Sequence, residues 1–102
     1  MIYEEVFRNN IIENSSVPFV AAEDGFWINS EGKNISISDM PTRYLKNCLR
    51  TLNNSNSWNE VTSLKNFMDG KITSDNKSVF VEYLDTLIES KTKEVETELE
   101  RR

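Results

Sequence analysis

The chain carries 17 Asp and Glu, one cysteine, Cys48, and no histidine. Without imidazole it lacks the side chain used most often as a general base near neutral pH and as a transition-metal ligand. A thiol nucleophile needs a neighbouring base to become a thiolate, and the obvious one is missing. Oxygen donors alone remain for a metal, and no D-x-D-x-D-G calcium loop occurs. Gly25, Gly32 and Gly70 stand singly, which excludes a glycine-rich phosphate loop. Two carboxylates work as acid and base only when one is shielded. Glu23 and Asp24 lie together in a loop and the C-terminal glutamates have polar neighbours, so neither group meets that condition. These residues point to a protein without catalytic, metal or cofactor chemistry.

Binding chemistry is easier to find. Residues 41–57 hold Arg43, Lys46 and Arg50 and no acid. At i, i+3 and i+7 these cations share one helix face with Asn47. Such a face fits a phosphate, an acidic partner, or the chain's own acidic tail, Glu94, Glu96, Glu98 and Glu100. The tail glutamates read in turn as a solvated helix face or an acidic recognition surface. Phe26 and Trp27 are neighbours in a strand, so one faces the core and the other faces away, as a covered ring or a partner anchor. A net charge of -5 disfavours direct binding to nucleic acid.

The elements that must position these groups follow from periodicity. The length of 102 residues and the 37% hydrophobic content suit one domain with one core. Ile2, Val6, Phe7, Ile11 and Ile12 predict a helix within 1–14, and Asn14-Ser15-Ser16 and Pro18 end it. Phe26-Trp27-Ile28, a turn cluster with Gly32, and the alternating Asn34–Ser38 predict a β-hairpin within 18–38. Asp39 and Pro41 open a helix over 39–53 whose buried stripe is Tyr44, Leu45, Cys48, Leu49 and Leu52. That stripe gives Cys48 the role of a small hydrophobe.

Ser57 as cap, with Trp58, Val61, Leu64, Phe67 and Met68, predicts a helix over 58–69 ending at Gly70. Residues 76–102 predict one long helix, apolar from Phe80 to Ile88 and thinning to Val95 and Leu99 around Lys91. Ile88, Val95 and Leu99 therefore become a candidate seam for a homodimer. The fold class is α+β, mostly helical, with one hairpin packed on helices. The acidic opening residues do not resemble a signal peptide, no stretch is apolar enough for a membrane span, and the lone thiol fits a reducing compartment, so a cytoplasmic location is expected.

The stretch from Trp27 through Leu52 resembles a pattern in small, mostly uncharacterised phage proteins. There a Trp strand, a Gly turn and an Ile-x-Ile strand lead to a Met and then a His-Leu-x-Asn helix. Here these are Trp27, Gly32, Ile35-Ser36-Ile37, Met40 and Tyr44-Leu45-Lys46-Asn47, with Tyr44 at the histidine position. The resemblance implies a phage or mobile-element origin, where short acidic proteins bind and disable host machinery, CRISPR effectors included. The leading expectation is thus an anti-CRISPR-like inhibitor in the host bacterial cytoplasm, bound to a nucleic-acid-handling defence protein by steric blocking or acidic mimicry. Two alternatives remain: a sponge or sensor holding a nucleotide second messenger on Arg43, Lys46 and Arg50, and an oligomeric structural accessory.

Overall fold

Helix α1 runs Glu4–Asn14, with Glu4 and Glu5 placed in the first turn where the helix dipole favours acid. A 3-10 turn at Pro18–Ala21 follows, then strands β1 (Phe26–Ile28) and β2 (Asn34–Ser36). Helices α2 (Thr42–Asn53), α3 (Ser57–Leu64) and α4 (Lys77–Glu100) complete the fold, an α+β arrangement dominated by helix. This computed structural model describes residues 3–102. The Ile2 position of the first helical stripe lies outside the described residues.

The hairpin is antiparallel, pairing Phe26 with Ser36, Trp27 with Ile35 and Ile28 with Asn34. Its turn is held by Asn29, whose Oδ1 accepts the N–H groups of Glu31 and Lys33 at 2.9 and 3.0 Å. Gly32 adopts φ +79 there, a left-handed conformation that a side chain would strain. The strand ends two residues earlier than the Asn34–Ser38 alternation predicts, because Ile37–Asp39 winds into a 3-10 turn that buries Ile37. Such a short hairpin needs a supporting surface. Trp27 supplies the contact by stacking on Phe19 of the 3-10 turn, with ring centroids 4.3 Å apart and planes 5° from parallel.

Helix α2 begins at Thr42 with Pro41 in the cap position and Asp39 outside it, and it buries Leu45, Cys48 and Leu52. Tyr44, expected on the buried stripe, is exposed. Helix α3 ends at Leu64, short of the expected 69, and gives way to a 3-10 turn at Lys65–Phe67; Val61, Leu64 and Met68 of its expected face are buried. Its cap is Asn56, whose Oδ1 accepts from Asn59 N–H at 3.0 Å, and the buried line is Ser57, Val61, Leu64 and Met68. Ser57 instead donates its hydroxyl to the Asp85 carboxylate of α4. Trp58 and Phe67 lie one residue off this line and are exposed. The Lys77 ammonium covers the Trp58 ring at 3.7 Å, a cation–π contact.

The core joins α1 (Phe7, Ile11), the 3-10 turn (Phe19, Val20), the hairpin (Trp27) and all three later helices. Its centre includes an edge-to-face pair, Phe7 on Phe80, at 4.9 Å. The expectation of a free seam on α4 is corrected. Val95 is fully buried in the chain's own core and is not free for a homodimer seam, and Leu99 and Ile88 pack against that core half-buried. The end of α4 does not project either, since Arg102 donates to Thr42 Oγ1 at 3.2 Å and Ser38 O at 3.3 Å.

What holds the second half of α4 down is Lys91, only 2% exposed. Its ammonium donates to the carbonyls of Phe26 (2.9 Å), Glu23 (3.1 Å) and Ala22 (3.3 Å) and to the Glu94 carboxylate (2.9 Å). Glu94 also accepts the Gly25 N–H at 2.8 Å. One lysine and one glutamate thereby fasten the loop before β1 to α4.

Candidate functional site

On α2 the side chains of Leu45, Cys48 and Leu52 turn inward, which leaves Arg43, Lys46, Asn47 and Arg50 exposed on the opposite side. None of the three cations forms an ion pair among the described residues. The pairing with the acidic tail that their charge would allow is absent there, and two of the four tail glutamates are engaged elsewhere. Glu94 pairs with Lys91, and Glu98 pairs with Arg101 at 3.4 Å and Arg102 at 3.2 Å.

The four tail glutamates consequently do not form one acidic surface. Glu94 and Glu98 are partly buried, whereas Glu96 and Glu100 face solvent on another side of the helix. Alternate residues on an α-helix lie about 200° apart, so an i, i+2 series cannot share a face. Glu94 and Glu98 line a groove of about 640 Å³ between the hairpin and α4. Their charge in it is balanced by Lys91, Arg101 and Arg102.

A smaller cleft, of about 280 Å³, lies between the hairpin and α2. Its walls include Phe19, Trp27, Tyr44, Asn47 and Cys48, with Ser30 at the hairpin turn. Trp27 is 5% exposed and Phe26, its neighbour, 38%. The tryptophan thus joins the α2 face at this cleft, and Phe26 lies with the α4 groove instead. Of the residues singled out by sequence, Trp27 and Asn47 come together at this cleft, while Arg43, Lys46, Arg50, Phe26 and the glutamates lie outside its lining.

Cys48 lies at the floor of the cleft, and burial pushes its thiol up to about 11. Burial, with Cys48 beside it, also raises the Tyr44 hydroxyl above its ordinary value. Both shifts oppose nucleophilic use at neutral pH, since the reactive thiolate is suppressed. Native-state labelling of Cys48 by a thiol reagent at pH 8 should run at least tenfold slower than in denaturant; equal rates would show that the thiol is accessible and ionised. The raised thiol also sets a sign for stability. The folded state holds its proton more tightly, so this contribution is intact below pH 9 and is lost as pH rises toward 11.

Tyr44 as a cleft-lining residue and Lys91 as a buried tie are the positions that sequence reasoning missed. Tyr44 had a signal, its place beside Arg43 at the helix edge. Among the described residues no three carboxylate or thiol side chains gather as a metal site, and no helix is long and apolar enough to cross a membrane. No protein-family model, curated protein or solved structure matches the chain.

Proposed function

We propose that this chain is a non-catalytic binding protein, an inhibitor of a bacterial defence protein, that makes contact through the exposed face of α2. The observation that carries this reading is the row Arg43, Lys46 and Arg50, exposed and without an ion-pair partner among the described residues. On a chain of net charge -5 the row is a cationic island in an acidic surface. An acidic patch on a partner is attracted to the island, and the surrounding carboxylates repel nucleic acid. A partner that handles nucleic acid would then be blocked by bulk and by like-charge repulsion together. The resemblance of residues 27–52 to small phage proteins supplies the defence context.

Affinity capture from a bacterial lysate tests the reading. The intact chain should retain a specific protein, and Arg43→Glu with Arg50→Glu should reduce retention at least tenfold. Both positions are exposed, so the melting curve should change little, within about 0.5 kcal/mol per site. Undiminished capture by the double variant would remove α2 from the interface.

A second reading, in which the same row holds a nucleotide, is favoured by one observation: an aromatic-walled cleft meets the same helix at Tyr44 and Asn47, the sequence neighbours of the row.

A further inference from the structure

We infer that the cleft between the hairpin and α2 binds a single nucleoside phosphate, its base entering between Trp27 and Tyr44 and its phosphate resting on Arg43 and Arg50. The inference deepens the nucleotide reading and stands only with it. At about 280 Å³ the cleft is at the lower limit of small-ligand sites and accommodates one planar ring system rather than a polymer.

The walls are suited to a base. Trp27 is fixed by its stack on Phe19 and forms a rigid aromatic side. Tyr44, partly exposed, forms the opposite lip. Aromatic side chains of this kind are the platforms on which bases stack. The polar lining then separates a base from the side chain of a docking protein. Asn29 and Thr51 are already engaged, Asn29 with the turn and Thr51 with the Asn47 carbonyl at 3.0 Å. The Asn47 amide, the Tyr44 hydroxyl and the Ser30 hydroxyl make no hydrogen bond among the described residues and border the same space. An amide offers both a donor and an acceptor, which a base edge matches and a phenyl ring does not.

The phosphate side follows from helix spacing. Arg43 directly precedes Tyr44 and lies one turn before Asn47, and Arg50 lies one turn after Asn47, so both arginines neighbour the Asn47 edge of the cleft from outside its lining. Arginine presents a planar fork that matches phosphate oxygens. The net charge of -5 opposes a long nucleic acid strand far more than a free nucleotide carrying one phosphate. The larger groove along α4 lacks this combination, since its acids Glu94 and Glu98 face it.

Fluorescence titration of the intact chain carrying Trp58→Phe, which leaves Trp27 as the reporter, tests the site. AMP, GMP and their 3′,5′-cyclic forms are the probes, with inorganic phosphate as the control and calorimetry as a second readout. At least one nucleotide should quench Trp27 saturably with a Kd below ~1 mM, while phosphate leaves the emission unchanged. Tyr44→Ala and Asn47→Ala should each weaken binding at least tenfold with an unaltered melting curve, and the Arg43→Glu, Arg50→Glu double variant should abolish it. Silence from all four nucleotides, or binding that survives Tyr44→Ala and Asn47→Ala, overturns the inference. If the double variant loses lysate capture while the nucleotides stay silent, the protein-partner reading stands and this one falls.

Discussion

Replacing Lys91 with methionine is expected to cost about 3–5 kcal/mol of stability, the range for removing one partner of a buried charged pair. Methionine keeps most of the side-chain volume, so the loss isolates the ammonium. Without it the carbonyls of Ala22 and Phe26 lose their donor, at about 1–3 kcal/mol for each acceptor left unpaired, while the Glu23 carbonyl keeps the Phe26 N–H at 3.0 Å. Partial rehydration of the loop keeps the total below their sum. Glu94 also loses its cation, although its side chain is 21% exposed and retains the Gly25 N–H.

Chemical denaturation of Lys91→Met beside Lys93→Met provides the measurement. Lys93 is exposed two residues further along the same helix, and its replacement should fall within about 0.5 kcal/mol of the parent. Equal midpoints for the two variants would mean that the carbonyl cluster does not depend on the ammonium. Arginine at position 91 should also destabilise, because a planar guanidinium cannot point its donors at the same three carbonyls.

Why Lys91 escapes a sequence reading is a matter of register. Leu84, Ile88, Lys91 and Val95 follow one another at spacings of four, three and four, the positions of a buried helical stripe. A lysine in that line reads as an interruption, so the helix beyond it reads as unsupported. In the fold the aliphatic stem occupies the apolar position and the ammonium finds carbonyls supplied by a loop some 65 residues earlier. Periodicity can identify the position as inward, but it carries no information about which distant backbone will meet it.

Elsewhere the legible parts were those fixed by local chemistry. Alternation at Phe26-Trp27, the Gly32 turn and the stripe Leu45, Cys48 and Leu52 all depend on neighbours in sequence, and they place the hairpin and α2 correctly. The same alternation requires Phe26 and Trp27 to point apart, as they do. Helix α3 was legible in Val61, Leu64 and Met68 but misled at its largest apolar side chain, Trp58, and at Phe67 of the turn after it, which are exposed, while a serine lies on the buried line. The cleft was legible only in part: Asn47 and Trp27 were evident candidates, but their meeting depends on how the hairpin sits on α2.

Substituting Trp27 with alanine is expected to destabilise the chain by about 3–5 kcal/mol, while the same change at Phe26 should cost much less. The two rings adjoin in one strand, but burial separates them, with 5% of Trp27 exposed and 38% of Phe26. Loss of the indole opens a void among Phe19, Ile37 and the helices of the core and removes the parallel stack at 4.3 Å. For a domain of this size the change corresponds to a fall in melting temperature on the order of 20 °C. The stack itself accounts for a smaller share. A double-mutant cycle with Phe19→Ala should return a coupling of about 0.5–1.5 kcal/mol, with the remainder coming from apolar burial and the cavity. Calorimetric melts of the two single variants, the double variant and Phe26→Ala decide the matter. If Trp27→Ala melts with the parent, the ring does not support the hairpin. A Phe26→Ala loss as large as that of Trp27→Ala would reverse the assignment of the two faces.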